Sequence, residues 1–305
     1  MKSKRFFALT LAAAVTATLF SGCGKAAPQT GTDPAGTAQT TASASAAGGA
    51  GETLKIGMLA PLTGGAAQYG IAVANGVRLY VKEVNANGGV NGKQVELVEY
   101  DEEGDAAKAV TGYNHLVDQK VVGIVGDVTT GPTVAVVAES QADQMPMITA
   151  SATAASVTQS EDGTVYQNMF RSCFIDPFQG EKMASFCVEK LGKKTAAVLV
   201  NSGSDYSGGC AAAFAEKAEA LGMKIVATES YAANSVDFQG QLTNIAAKNP
   251  EVLFVPDYYD VIALVAQQAK DAGVAATMVG VDGWDTVLSA VSDPALVEGA
   301  YYCSG

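Results

Sequence analysis

Residues 121–132 read VVGIVGDVTTGP, and this stretch indicates how the chain folds. The apolar run 121–126 has the length of a buried strand, and polar residues follow it at once. Pro132 suits the first turn of a helix, and Thr130 or Gly131 can cap that helix. The stretch therefore predicts a strand that leads directly into a helix, the repeating unit of parallel α/β sheets.

The same alternation continues on both sides of this stretch and restarts once, after residues 166–172. Short apolar strands that alternate with helical stretches favour a parallel sheet with crossover helices. We therefore predict an α/β protein with two doubly wound parallel-sheet lobes, at 52–171 and 172–305. The predicted strands are 54–60, 94–100, 121–126, 145–149, 166–172, 195–200, 224–230, 252–255 and 277–281. The predicted helices are 68–85, 105–119, 133–143, 177–191, 206–221, 238–248 and 258–272.

The N-terminal part of the chain has a different pattern. Three basic residues precede the apolar run 6–19, and the small residues Ser21 and Gly22 directly precede Cys23, which predicts a signal peptide at 1–22 and a lipidated Cys23. A membrane-spanning helix is the alternative, but it needs about 20 apolar residues. Residues 24–51 are mainly Ala, Gly, Ser, Thr and Pro, so 23–51 is predicted to be a lipidated cysteine and a flexible tether on the outer face of a membrane.

Composition and residue types limit the possible functions. With 48% hydrophobic and 16% charged residues, the chain can bury a large core, and a formal charge of −12 argues against nucleic acid as a partner. His115 is the single histidine, which argues against His-based triads and His-cluster metal sites, and we expect it to be structural. The cysteines after Cys23 lack metal-ligand spacing, and we expect mostly buried free thiols, although an outside location permits disulfides.

An acidic segment at 101–105 follows the second predicted strand. It could be a metal or acid/base cluster, but such a segment more often forms a solvated helix N-terminus that the helix dipole stabilises. We therefore expect the segment 101–105 to form a solvated helix N-terminus.

Polar residues also follow several other strands, at the sheet edge where open α/β folds bind ligands. Thr130 and the segment 151–153 could direct backbone N–H groups and hydroxyls at a carboxylate, although ordinary helix capping is the alternative. In the second lobe, acids stand beside aromatic residues at Asp205-Tyr206, Asp257-Tyr258-Tyr259 and Asp282-Gly283-Trp284. An acid next to aromatic rings could receive an ammonium group and cover an apolar side chain.

A set of short motifs occurs between residue 54 and the end of the chain. They are Ile56-Gly57 with Pro61-Leu62-Thr63-Gly64, Val84-Asn85-Ala86-Asn87-Gly88-Gly89-Val90-Asn91-Gly92, Ser151-Ala152-Thr153, Arg171-Ser172 with Asp176 and Gln179-Gly180, Asp205-Tyr206, Asp237-Phe238, Tyr258-Tyr259 and Gly280-Val281-Asp282-Gly283-Trp284. In these motifs the chain resembles the leucine/isoleucine/valine-binding receptors of ABC importers. This resemblance implies a type I periplasmic-binding-protein fold, whose two lobes close over an amino acid. The family continues beyond residue 305, so we expect that this chain is truncated in its C-terminal part.

The resemblance also implies roles for individual residues. Asp282 matches the acid that receives the α-ammonium group, and Thr130 stands where a hydroxyl meets the α-carboxylate. The segment 151–153 would bind both groups, and tyrosines from both lobes would line the pocket. The full set of implied ligand-binding residues is Tyr69, Thr130, Ser151, Ala152, Thr153, Tyr206, Tyr258 and Asp282.

The implied function is that of an extracytoplasmic lipoprotein that delivers a branched-chain or other neutral α-amino acid to an ABC permease and ATPase. It would act as a monomer, without cofactor, metal or catalysis. Two alternatives remain: a sensory receptor for a small amide or urea-type solute, and a hydrolase that uses Asp257, Asp260 or Asp282.

The lipid anchor leads to a first prediction. We expect Cys23→Ser to abolish acylation, because the thiol that carries the acyl chain is removed. Metabolic labelling with a fatty-acid analogue measures this, and undiminished label in the Cys23→Ser protein would contradict it.

Overall fold

The structure is a computed structural model that describes residues 53–304. The expected signal peptide at 1–22, the lipidated Cys23 and the tether lie outside the described residues. Among the helices of 53–304, none combines the length and the apolar character needed to cross a membrane.

The first lobe contains a parallel five-stranded sheet with the order β2-β1-β3-β4-β5. Its strands are β1 Leu54–Ala60, β2 Val95–Asp101, β3 Ile124–Val125, β4 Met147–Thr149 and β5 Met169–Arg171. Its helices are α1 Ala67–Ala86, α2 Ala106–Asp118 and α3 Thr130–Asp143, with a 3₁₀ turn at Ala155–Val157.

The second lobe repeats this order in its own parallel sheet, which reads β7-β6-β8-β9-β10. Its strands are β6 Thr195–Asn201, β7 Lys224–Tyr231, β8 Val252–Phe254, β9 Thr277–Gly280 and β10 Tyr301–Tyr302. Its helices are α4 Asp176–Glu189, α5 Asp205–Ala220, α6 Gln239–Ala246, α7 Tyr259–Asp271 and α8 Val287–Ala290, with 3₁₀ turns at Asp282–Trp284 and Pro294–Val297. The prediction of two doubly wound parallel-sheet lobes is confirmed.

The start of α3 differs from the prediction. The helix begins at Thr130, three residues before the predicted start at 133, and Thr129 is its N-cap with extended backbone angles. Pro132 therefore occupies the third helical position. Its missing N–H costs nothing there, because the first four N–H groups of a helix have no partner within the helix.

The central strand β8 shows why the second lobe needs helices on both faces. Val252, Leu253 and Phe254 are all fully buried. Val252 and Phe254 pack in one core cluster, and Leu253 packs in the other, as expected when successive side chains alternate between faces. A strand covered on both faces reads as a continuous apolar run, and this is the pattern that identified it in the sequence.

Helices α4 and α5 pack closely at a glycine. A Cβ atom at Gly180 would overlap the carbonyl oxygen of Cys210 and lie 2.7 Å from the backbone nitrogen of Phe214. Both obstacles are backbone atoms of α5, which cannot rotate away. Gly180 therefore sets the distance between the two helices.

One acid of the segment 101–105 contradicts the expectation of a solvated helix N-terminus. Asp105 does cap α2, since its carboxylate accepts hydrogen bonds from the N–H groups of Ala107 and Lys108, each at 2.9 Å. Glu102, however, is fully buried against Asp127, which is also fully buried. Strands β2 and β3 flank β1, so the residues that follow them meet across its end.

Burial makes ionisation of this carboxyl pair unfavourable. Loss of solvent raises the pKa of Glu102 from 4.5 to about 7. The hydrogen bond with Asp127 and those from the backbone N–H groups of Gly104 and Asp105 oppose this shift. The charge of Asp101 adds to it. Burial, followed by the charge of Glu102, raises the pKa of Asp127 well above its ordinary value. The two carboxyls therefore retain protons at pH values at which exposed acids are ionised.

The described cysteines are free, as expected. Cys187 and Cys210 are buried, whereas Cys173 and Cys303 are only partly buried. His115 lies in the last turn of α2, where its ring contacts Tyr100.

The close contact of α4 and α5 leads to a second prediction. We expect Gly180→Ala to lower the free energy of unfolding by roughly 1–3 kcal/mol, because the added methyl group overpacks the interface. Gly208→Ala is the control, since a Cβ atom there would meet nothing within 4 Å. Urea denaturation measures both variants, and equal midpoints would contradict the proposed role of Gly180.

The carboxyl pair leads to a third prediction. An acid whose pKa is raised in the folded state binds more protons when folded, so its contribution to stability is full below its ordinary pKa and declines as the pH rises toward the folded value. For Glu102, this window extends from pH 4.5 to about 7. We expect wild type to lose roughly 1–3 kcal/mol more stability than Glu102→Gln over this window.

Urea denaturation at both ends of the window measures this difference. Glu103→Gln is the control, since Glu103 lies in the same loop but is exposed and pairs with Lys108 at 2.6 Å. Parallel pH profiles for wild type and Glu102→Gln would show that the pair does not titrate as inferred.

Candidate functional site

Each sheet has a topological switch point, the place at which the order of its strands reverses, and the two points are equivalent. Strand order reverses between β1 and β3 in the first lobe and between β6 and β8 in the second. Ligands of open α/β sheets bind at such points, beyond the carboxyl ends of the strands. Segments from both lobes line a cavity of about 180 Å³ there.

Six of the eight predicted ligand-binding residues line this cavity. They are Tyr69, Ser151, Thr153, Tyr206, Tyr258 and Asp282. Lining residues that the sequence reasoning missed are Val128, Thr129, Gly283, Asp285 and Ser304. Thr129 could have been found from the capping pattern, since it directly precedes the residue that was selected.

The other two predicted residues, Thr130 and Ala152, are buried and do not line this cavity. The hydroxyl of Thr130 accepts a hydrogen bond from the N–H of Ala154 at 3.4 Å. The N–H of Ala152 donates to Oγ1 of Thr149 at 2.9 Å, and its carbonyl accepts from Nη1 of Arg171 at 3.1 Å. In this structure both residues hold the loops of the first lobe together.

The same loops are fixed by further hydrogen bonds. The hydroxyl of Ser151 donates to the carbonyl oxygen of Val128 at 2.6 Å, and the hydroxyl of Thr149 donates to that of Asp127 at 2.6 Å. The N–H of Ser151 donates to Thr149 at 3.3 Å. The expectation that 151–153 offers free N–H groups is therefore wrong for Ser151, as it is for Ala152.

The N-terminus of α3 is the positive group on this side of the cavity. Thr129 caps the helix, yet its side chain makes no capping hydrogen bond. Aligned peptide dipoles give a helix N-terminus a partial positive charge that favours anions. Thr129 and the end of α3 therefore form the part of the wall best suited to a carboxylate.

The opposite wall contains a stacked pair of tyrosines. The rings of Tyr206 and Tyr258 lie 4.8 Å apart with an angle of 7° between their planes. The hydroxyl of Tyr206 donates to Oδ1 of Asp282 at 2.5 Å and accepts from the N–H of Gly283 at 2.9 Å. The N–H of Asp282 donates to Oε1 of Gln179 at 2.8 Å. These bonds fix the Asp282 carboxylate at the cavity wall.

The turn that carries Asp282 is anchored from behind by Trp284. Its indole N–H donates to the carbonyl oxygen of Val255 at 2.8 Å, and the side chain is 1% exposed. The ring packs so closely on Gly280 that a Cβ atom there would overlap it. The turn therefore has little freedom to move.

Burial makes ionisation of the acids around the cavity unfavourable. Burial raises the pKa of Asp282, although its hydrogen bonds with Tyr206 and Gln179 oppose the shift. Asp176, close to Thr153 and Asp282, is 1% exposed, and burial raises its pKa to about 7. A cation near Asp282 would favour its ionised form.

These features suit a small zwitterion. A positive helix end lies on one wall and a fixed carboxylate on the other, with aromatic rings between them. The volume is below the range of about 300–1,000 Å³ that is typical of pockets for drug-sized ligands. Within residues 53–304, no group of three or more metal-ligating side chains is arranged to hold a metal ion.

Comparison with known proteins agrees with this architecture. A family model described as periplasmic binding protein matches residues 53–305. A leucine-, isoleucine-, valine-, threonine- and alanine-binding protein of Pseudomonas aeruginosa is 32% identical over 234 residues, which cover 77% of this chain and 61% of the relative. The chain thus spans about three fifths of the length of the curated relatives that it matches.

Two solved structures support the same assignment. The branched-chain amino acid transporter substrate-binding protein LivJ of Streptococcus pneumoniae, in complex with isoleucine, is 35% identical with a TM-score of 0.69, covering 76% of this chain and 65% of that chain. The leucine-binding protein LivK of Thermotoga maritima is 30% identical with a TM-score of 0.69, covering 81% and 67%. Since the family model matches every described residue and the observed fold agrees with it, this chain belongs to the periplasmic binding protein family.

Proposed function

We propose that the protein binds a branched-chain or other neutral α-amino acid between its two lobes and delivers it to an ABC importer. The single observation that carries this proposal is that α3 and Asp282 face one cavity from opposite lobes. The relatives whose names state branched-chain amino acids support the ligand class.

The geometry suggests how the ligand lies. Its α-carboxylate meets Thr129 and the N-terminus of α3, and its α-ammonium group meets Asp282 and Thr153. Its side chain packs against the stacked rings of Tyr206 and Tyr258. In this pose each charged group of the ligand has an opposite charge or dipole as partner, which burial of a zwitterion requires.

The hydrolase alternative has little support from the geometry. Asp257 is held by the phenol of Tyr231, by Nδ2 of Asn201 at 3.1 Å and by the N–H of Tyr258 at 2.8 Å. Neither Asp257 nor Asp260 lines the cavity that contains Asp282. Paired catalytic carboxylates must flank one scissile bond. We therefore propose a protein that binds its ligand without converting it.

The cellular setting is part of the same proposal. The protein would be held on the outer face of a membrane by a lipid on Cys23 and would present its ligand, as a monomer, to a permease and ATPase. In the sensory alternative the ligand binds in the same cavity, and the closed form binds a signalling partner instead of a permease and ATPase.

The pairing of Asp282 with the ammonium group leads to a fourth prediction. We expect Asp282→Ala to weaken binding roughly 10²- to 10³-fold, because a buried cation is left unpaired. Thr129→Ala should weaken binding about 10- to 100-fold, since it removes one hydrogen bond to a charged group among several. Calorimetry with the best ligand from a panel of the twenty amino acids measures both variants.

Asp285→Ala is the matched control, because Asp285 lines the same cavity but is exposed to solvent. It should bind within about threefold of wild type, since water screens an exposed charge. An Asp282→Ala protein that also binds within about threefold of wild type would remove the ammonium role and indicate a ligand without an amino group.

A further inference from the structure

We infer that Tyr69 is an interlobe clasp, a residue of the first lobe that holds the second lobe closed through contacts with the protein itself. This inference rests on the proposed function, because opening and closing of the lobes affect the activity of the protein only if its ligand binds between them. The clasp would give the ligand-free protein a measurable closed population.

The hydroxyl of Tyr69 makes the central contact. Tyr69 lies in the first turn of α1, and its hydroxyl donates to the carbonyl oxygen of Gly283, in the other lobe, at 2.6 Å. Gly283 follows Asp282 in the 3₁₀ turn that forms the ligand wall. The hydrogen bond therefore joins the first lobe to the element that presents the Asp282 carboxylate.

The ring of Tyr69 makes the second contact. Its centroid lies 5.1 Å from that of Tyr259, edge to face, and 6.0 Å from that of Tyr258. Tyr69 packs against the core cluster of the second lobe, which includes Tyr259 and Trp284. A side chain of one lobe thus extends the hydrophobic core of the other.

The backbone before Tyr69 also approaches the second lobe closely. A Cβ atom at Gly65 would lie 2.7 Å from Oδ2 of Asp260, in the first turn of α7.

Other hydrogen bonds also join the lobes. The N–H of Asp176 donates to the carbonyl oxygen of Thr153 at 3.1 Å. The hydroxyl of Ser156 donates to Oδ2 of Asp205 at 3.3 Å in an exposed position. The Tyr69 contact is half-buried, so water competes with it less.

Every atom in these contacts belongs to the protein, so none of them requires a ligand. When the lobes separate, water can hydrate both the Tyr69 hydroxyl and the Gly283 carbonyl. A hydrogen bond exchanged for water has a modest net effect, worth about a two- to tenfold change in the ratio of closed to open molecules. The hydrogen bond of Tyr69 is therefore strong enough to change the closed population measurably, and weak enough to allow the lobes to separate.

Distances between the lobes in ligand-free protein test the clasp. A genetically encoded keto amino acid replaces the exposed Lys82 and Lys248, one in each lobe, and carries the fluorophores. This chemistry leaves the native cysteines unlabelled. Single-molecule energy transfer between the two fluorophores then measures the distance between the lobes. We expect a closed population in wild type, a ratio of closed to open molecules about two- to tenfold lower in Tyr69→Phe, and a larger loss in Tyr69→Leu, which also lacks the ring.

Tyr80 provides the matched control, since it lies on the same helix but is 67% exposed. Tyr80→Phe and Tyr80→Leu should leave the closed population unchanged. The clasp is overturned if ligand-free wild type shows no closed population, if Tyr69→Phe matches wild type, or if the Tyr80 variants lose closure equally. Because no ligand is added, this result is separate from the Asp282 test. If the protein binds an amino acid but the closed population of Tyr69→Phe equals that of wild type, the clasp is refuted and the proposed function is not.

Discussion

The parallel pairing of strands is the constraint on which the rest of this structure depends. In each sheet all five strands run in the same direction, so their carboxyl ends emerge at one edge. The helices that return the chain must cover both faces of the sheet, which leaves that edge for the loops. The residues proposed to bind the ligand gather at this edge because of the topology, although they are far apart along the sequence.

The shared strand order also makes the two lobes equivalent in what they contribute. The segments that follow β1, β3 and β4 contain Tyr69, in the first turn of α1, and Thr129 and Ser151. The equivalent segments after β6, β8 and β9 contain Tyr206, in the first turn of α5, and Tyr258 and Asp282. Both sets provide aromatic rings, but the first adds a helix end and aliphatic hydroxyls, whereas the second adds a carboxylate. A repeated architecture thus places two walls of different chemistry around one cavity.

Most of the fold could be predicted from the sequence, because strands buried on both faces leave continuous apolar runs. The short elements α8 and β10 were not predicted, since two to four residues carry too little pattern. The burial of Glu102 was also missed, because it depends on a meeting with Asp127 that only the order of the strands determines. The interlobe bond of Tyr69 has no local signal, since its partner is 214 residues away.

Asp282, Tyr206 and Tyr258, which the sequence offers by their side-chain chemistry, line the cavity, and their role in binding stays a prediction. Thr130 does not line it and Thr129 does, because the exact start of α3 depends on backbone geometry that the sequence pattern does not define. Trp284 is the single tryptophan of the chain and lies two residues after Asp282, shielded from water. Its fluorescence therefore comes from one position next to the cavity, so the protein carries its own optical reporter of events at that wall.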